Sequence, residues 1–170
     1  MEKPLNQIYE ILQQLTGLHR QLLETVRAER THLVAADLNG IQMITAKKQE
    51  LIESIRQAEA LRVKLTGELA TLWSKPIQEL SLTNIIIEIQ GRDQRGAEQF
   101  RSAHNTLTIL IQRITEQNAA IRSLVERSLE HVLQMKKNVL GESKQGSETY
   151  TAAGQKTAAP ALSRLYSGEA

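Results

Sequence analysis

The side chains that could do chemistry in this sequence are four histidines, scattered serines and one glycine-rich stretch. The histidines are His19, His32, His104 and His131, and none lies in an HExxH motif or at another spacing that pairs two metal ligands. The chain has no cysteine, which excludes thiol catalysis, disulfides and thiolate metal sites. No serine lies in a nucleophile turn. We therefore expect no metal site, and we interpret the histidines as solvated or as part of a helix seam.

The stretch GRDQRGAE, residues 91–98, has the glycine spacing of a phosphate-binding loop. That motif requires a lysine and then a serine or threonine directly after the second glycine, where this chain has Ala97 and Glu98. Without the lysine, no side chain is left to hold the terminal phosphates of a nucleotide. The sequence therefore predicts a protein that is not an enzyme and needs no cofactor.

Composition indicates long helices. The 170 residues are 41% hydrophobic but only 3% aromatic, which suits one all-α domain.

Charge and hydropathy argue against two classes of partner. Basic and acidic residues number 21 and 19 and are interleaved, so the sequence has no basic stripe that could follow a nucleic-acid backbone. The pI near 9 keeps a nucleic-acid accessory role as a weaker alternative. Runs of large apolar residues reach only three, as at Ile85 to Ile87, so we expect no membrane span and no secretion signal.

Apolar residues at alternating spacings of three and four predict two helices, at about 4–36 and 38–73. The seam residues are Leu5, Ile8, Leu12, Leu15, Leu22, Val26 and Leu33 in the first, and Ile41, Ile44, Leu51, Ile55, Ala58, Leu65, Leu69 and Leu72 in the second. Between them, Asp37 is a good N-cap and Asn39 with Gly40 tolerate a turn. We therefore expect an antiparallel helical hairpin.

One antiparallel register brings every seam position of the first helix opposite a seam position of the second: facing residue numbers sum to 77. Leu5 then faces Leu72, and Glu29 faces Lys48, so that two polar seam residues form a register pair of opposite charge. The alternative is that Glu29 and Lys48 each reach solvent at the edge of the bundle.

A third helix is predicted at about 81–140, after Pro76 ends the second. It would be about 90 Å long if straight, against about 50 Å for each of the first two. It therefore either breaks at 91–96, where two glycines lie, or extends past its partners. The whole is expected to be a three-helix, coiled-coil-like bundle over residues 1–140, with a disordered tail at 141–170 that has no helical periodicity before a short ALSRLY patch.

The last stretch of the third helix carries more apolar surface than one partner helix covers. Beside Ile121, Leu124 and Met135 runs a second stripe of Val125, Leu129, Val132 and Val139. A wide exposed apolar face of this kind is typical of a docking site for an amphipathic helix of another protein. The alternative is self-association through the same face, which would give a homodimer.

Tyr150 is one of only five aromatic residues, and its neighbours in GSETYTAAGQ are small or polar. It has no apolar neighbour to pack against, so we do not expect it in a core. Either it is incidental, or another protein binds it.

Three parts of the chain resemble the flagellar export chaperones of the FlgN type. They are the order Glu29, Leu33, Asp37, Leu38, Ile41, Lys48 and Leu51 across the hairpin, the sequence EQNAAIRSLVERSLEHV in the third helix, and TYTAAGQ in the tail. The resemblance covers most of the chain, and the three parts occur in the family's order.

The resemblance implies a cytoplasmic chaperone for the two hook-filament junction proteins, whose terminal helices would polymerise prematurely if left free. It implies that the third helix binds cargo through Ile121, Leu124, Val125, Leu129, Val132, Met135 and Val139. It also implies that Tyr150 docks the loaded chaperone on the cytoplasmic domain of the export gate. The alternative function is a non-enzymatic structural or adaptor coiled-coil protein, homodimeric through the same stripe.

Overall fold

The computed structural model of the chain describes residues 3–145, with side-chain environments described for residues 3–140. It contains α1 (Lys3–Val34), α2 (Leu38–Trp73), a short 3-10 helix (Ile77–Glu79), α3 (Leu82–Gln90) and α4 (Gln94–Gln145). No strand occurs among the described residues, and the prediction of an all-α fold is confirmed. The predicted tail beyond residue 145, including Tyr150, lies outside the described part.

The chain divides into two compact units, residues 1–122 and the residues from 123 onward. The first unit contains α1, α2, α3 and the first part of α4. The described part of the second unit is the remainder of α4, which extends five residues past the predicted end at 140. Gly141 does not end the helix. A glycine inside a helix costs only about 1 kcal/mol relative to alanine, so the helix can continue through it.

The first helix ends two residues before the predicted boundary because Ala36 adopts a left-handed conformation, with φ of 53°. The N–H of Ala36 donates to the carbonyl of Leu33 at 3.2 Å, and the N–H of Asp37 donates to that of His32 at 3.0 Å. These two hydrogen bonds form a Schellman motif, which satisfies carbonyls left without partners at the end of α1. The chain reverses directly after it.

Asp37 is the N-cap of α2, and its carboxylate accepts a hydrogen bond of 3.0 Å from the Gly40 N–H. Asn39 and Gly40 thus lie in the first turn of α2 rather than in the connecting turn. His32 from the end of α1 packs over Gly40, where an added Cβ would lie 2.1 Å from the His32 Nδ1 atom. A larger residue at this position would therefore displace the His32 ring and the Asp37 carboxylate.

Three further caps shape the connections from α2 to α3 and from α3 to α4. Ser74, with φ of 52°, ends α2, and Pro76 follows it. The hydroxyl of Ser81 accepts from the Asn84 N–H at 3.2 Å and begins α3. Asp93 accepts from the Gly96 N–H at 2.8 Å and begins α4, so the interruption in the third helical segment covers only residues 91–93. Gly96 is helical and does not belong to a phosphate loop.

Two clusters of buried side chains hold the first unit together. The larger is built by all four helices and includes Ile8, Leu12, Leu69, Ile85 and Phe100. The Tyr9 ring lies against Phe100, with 5.6 Å between the ring centroids. Full burial of one such aliphatic side chain contributes roughly 1.5–3 kcal/mol, so these layers, rather than the ion pairs, hold the helices together.

The second cluster lies nearer to the α1–α2 turn and joins α1, α2 and α4. Its buried members are Leu22, Leu23, Val26, Leu51, Leu110, Ile114 and Ile121. Val26 and Leu51, which the predicted register places opposite each other, both belong to it.

One predicted seam position fails at the far end of the hairpin, where Leu72 is 62% exposed instead of facing Leu5. There α2 buries Leu65, Thr66, Leu69 and Ala70. Leu72 is the last residue but one of α2 and lies past Ala70, the last residue that this helix buries.

Candidate protein-binding surface

Beyond residue 122, α4 keeps the apolar spacing of its buried part. Its buried residues recur at steps of three, four or seven from Phe100 to Ile121, and apolar residues continue at the same steps in Val125, Val132 and Val139. At 100° per residue, the apolar side chains between 124 and 140 occupy about half of the helix circumference. The other half is polar.

We call the exposed members of this set the α4 apolar face. They are Val125 at 46% exposure, Leu129 at 58%, Val132 at 59%, Leu133 at 56%, Met135 at 55%, Val139 at 67% and Leu140 at 57%. Seven large apolar side chains, each about half exposed, thus lie on one side of a single helix, with Ser128 and Lys136 as the polar residues among them. Monomeric proteins rarely leave a surface of this kind uncovered, and where it occurs it commonly marks an interaction site.

The seven residues predicted to bind cargo do not share one environment. Val125, Leu129, Val132, Met135 and Val139 belong to the α4 apolar face. Leu124 is partly buried. Ile121 is only 8% exposed and belongs to the second core cluster, so its side chain is occupied within the bundle.

Leu133 and Leu140 were missed from the predicted set although they belong to the face. Both are visible in the sequence, because Leu129, Leu133 and Leu140 follow one another at steps of four and seven. They are found when every apolar residue on that half of the helix is counted, and not only the residues at the spacing of a narrow seam.

The polar side of the same stretch carries Glu126, Arg127, Glu130, His131 and Lys137. Arg127 donates to the Ser123 hydroxyl at 2.9 Å. Glu126 and Glu130 form no ion pair with any residue in the described part of the chain. The charged side of α4 therefore keeps free carboxylates beside the apolar face.

The predicted register pair lies inside the first unit. The Lys48 Nζ donates to Glu29 Oε2 at 2.6 Å, and the two side chains are 22% and 15% exposed. The same ammonium donates to the Oδ1 atom of Asn118 in α4, at 3.3 Å. Sequence reasoning did not assign this role to Asn118, and no spacing rule singles out one asparagine among the polar residues of a long helix.

The histidines have separate environments. The buried His19 makes a 2.7 Å hydrogen bond between Nδ1 and the carbonyl of Leu15. His32 Nδ1 lies 2.9 Å from Asp37 Oδ2. The hydrogen bond from the Gly40 N–H, together with His32, lowers the pKa of the Asp37 carboxyl. Among the described residues, no group of three His, Cys, Asp or Glu side chains is arranged to hold a metal ion.

An open groove of about 500 Å³ lies on the first unit, between α2, the 3-10 helix and α4. Its walls include Val63, Ile77 and Ile111, with His104 at one side. Arg62 at its edge is paired with Glu59 at 2.8 Å. The groove contains no nucleophile hydrogen-bonded to a base, so its lining does not indicate catalysis.

No helix in the described part of the chain is both long and apolar enough to cross a membrane. The export-gate residue predicted from the sequence, Tyr150, lies outside the described residues.

A family model of known proteins matches the chain. The family model described as FlgN protein matches residues 1–158, which include every helix of the described part and position 150. A search of curated proteins found no match, and a search of solved structures found none either.

Proposed function

Since the chain belongs to the FlgN family of flagellar export chaperones, we propose that it binds the terminal helices of hook-filament junction proteins on the α4 apolar face. We further propose that it delivers them to the cytoplasmic domain of the export gate. The family as a whole binds flagellar substrate proteins; the choice of these partners and the residues involved are our proposals.

The observation that carries the proposal is the exposure of the α4 apolar face. Its central residues Leu129, Val132 and Met135 are each more than half exposed, and all are helical. An amphipathic helix from another protein, with anchors at i, i+3, i+4 and i+7, would cover a surface of this width. Covering the apolar side of a junction protein's terminal helix would in turn keep that helix from polymerising.

Binding would be driven mainly by removal of apolar surface from water, at about 25 cal/mol per Å². Immobilising two partners offsets several kcal/mol of that gain. The result is a complex that forms and is released, which is what a chaperone that hands over its cargo requires.

Tyr150 is the proposed contact to the export gate. Its ring is amphipathic and lies in a sequence with no other large apolar residue between positions 146 and 160. A single tyrosine supplies contact area with few rotatable bonds to immobilise, so it suits a weak and releasable anchor. We also propose a cytoplasmic location, since the gate domain and the cargo meet there before export.

Light scattering after size-exclusion chromatography tests the cargo proposal. We expect the full chain alone to be a monomer and to form a one-to-one complex with a purified hook-filament junction protein. The same exposed face favours one alternative, a homodimeric structural or adaptor protein. A stable dimer whose mass does not change on adding the junction protein would support that alternative and refute the chaperone proposal.

A further inference from the structure

Past Gln145 the chain carries one further apolar patch, ALSRLY at residues 161–166. Leu162, Leu165 and Tyr166 follow an i, i+3, i+4 spacing, which puts three apolar side chains on one side of a helical turn. We propose that this patch binds back onto the α4 apolar face of the same chain and covers the centre of it while no partner helix is bound. As a regulation of cargo binding, this inference rests on the proposed function.

The length of the connection suits this contact. Fifteen residues, 146–160, separate the end of α4 from the patch. As an unstructured chain they would span about 20 Å on average. The distance back along α4 from Gln145 to Val132 is also about 20 Å, at 1.5 Å per residue. A tether whose average span equals the separation of its two sites gives an effective concentration near its maximum, in the millimolar range.

The chemistry of the two surfaces is complementary. Leu162 and Leu165 would contact the centre of the α4 apolar face around Val132. On such a turn Arg164 would lie away from the leucines, and its long side chain is the part of the patch that could pair with Glu126 or Glu130, the two carboxylates beside the face that are unpaired within the described part. Between residues 146 and 160, Tyr150 is the one large side chain with apolar surface that could compete with the patch for the face.

The contact is necessarily weak because a single turn covers only part of the face. A cargo helix of several turns would contact all of it and displace the patch. The apparent affinity for cargo is then lowered by the fraction of molecules in which the face is open. The patch thereby keeps the apolar surface from self-association without blocking a true partner.

Distance measurement between two spin labels tests the contact directly. The chain has no cysteine, so Arg127→Cys and Ser163→Cys place the only two labels on the full-length protein. We expect a narrow distribution centred below about 25 Å. An unbound patch would give a broad distribution around 35 Å, from about 27 Å of helix and roughly 23 Å of coil combined.

The patch variant Leu162→Ser with Leu165→Ser should convert the narrow distribution into the broad one. The matched control Ala158→Ser with Ala159→Ser adds two hydroxyls just before the patch and should keep it narrow. A broad distribution in the unmodified background, or a narrow one that ignores Leu162 and Leu165, would overturn the inference. A short distance in a mixture of singly labelled chains would also overturn it, because a second copy would then occupy the face.

Calorimetric titration with a purified junction protein separates this inference from the proposed function. We expect the Leu162→Ser, Leu165→Ser variant to bind about five- to tenfold more tightly than the unmodified chain, as expected if the face is open in 10–20% of molecules. If no variant binds the junction protein while the short distance persists, the intrachain contact stands and the cargo proposal fails. If binding is unchanged and the distribution is broad, the contact fails and the cargo proposal stands.

Discussion

The ammonium of Lys48 lies 2.6 Å from Glu29 Oε2, on the neighbouring helix. A second hydrogen bond from the same group to Asn118 connects this pair to α4. The Lys48 ammonium therefore links three helices at a single layer of the bundle. Such a contact adds little net stability, but it opposes slippage because any other alignment would leave a charge against apolar side chains.

Reversing one charge of this pair should destabilise the fold, whereas reversing both should be tolerated. Glu29→Lys brings two ammonium groups together where the side chains are less than a quarter exposed, and we expect a loss of about 2 kcal/mol. Glu29→Lys with Lys48→Glu restores the attraction. Thermal unfolding followed by circular dichroism distinguishes them, and an unchanged melting temperature in the single variant would contradict the role given to the pair.

Relieving the left-handed residue at the end of α1 should stabilise the protein. Ala36 has φ of 53°, a conformation that costs an alanine roughly 1–2 kcal/mol and a glycine almost nothing. Ala36→Gly should therefore raise the free energy of unfolding by about 1 kcal/mol in urea titrations. Ala35→Gly is the matched control: its φ is not positive, so it should give no gain. Equal effects of the two changes would show that the cap geometry is not as described.

The Asp37 cap should make stability depend on pH in the acid range. Its folded-state pKa lies below the ordinary value of 3.8, mainly because the Gly40 N–H donates to the carboxylate. The contribution is therefore present above the unfolded pKa and is lost as the pH falls through the lower, folded pKa. Asp37→Asn keeps a good N-cap but removes the charge.

The measurement is the melting temperature of the wild type and of Asp37→Asn from about pH 6 to pH 2, across the range in which aspartate titrates. The advantage of the wild type should shrink as the pH falls. Glu88, whose pKa is lowered by the hydrogen bond from Lys75, titrates in both proteins and cancels in the comparison. A constant difference between the two proteins over this range would refute the prediction.

Replacing Tyr150 should separate cargo binding from delivery. Tyr150→Ala removes the proposed gate anchor, so binding to the purified cytoplasmic domain of the gate and export of the junction proteins should both fall. Helix content and cargo binding should not change. The control Thr149→Ala alters the neighbouring residue without removing a ring. Loss of cargo binding together with the ring would mean that Tyr150 belongs to the cargo site.

Local chemistry made the hairpin predictable from the sequence. Asp37 is recognisable as an N-cap, and the apolar spacing on either side of it identifies two helices that must pack on each other. The FlgN resemblance, carried by the hairpin, the third-helix stripe and the Thr-Tyr tail motif, is confirmed by the family model.

Features that depend on tertiary geometry were not predictable. The exposure of Leu72 depends on where α2 passes the last layer of the core, which a residue count ignores. The burial of Ile121 against α1 and α2, only four residues before the exposed Val125, depends on which part of α4 belongs to the first core. Both residues have the same apolar character and spacing, so sequence alone does not distinguish them.

The most direct test of the central claim is the affinity of a purified hook-filament junction protein for Val132→Asp and for Gln134→Asp, measured by calorimetry. Both substitutions add one carboxylate to the exposed part of the same helix, the first on the α4 apolar face and the second on the polar side. We predict at least a tenfold loss of affinity for Val132→Asp, since burying an unpaired charge costs more than 1.4 kcal/mol, and little change for Gln134→Asp. Equal affinities of the two variants would contradict the account.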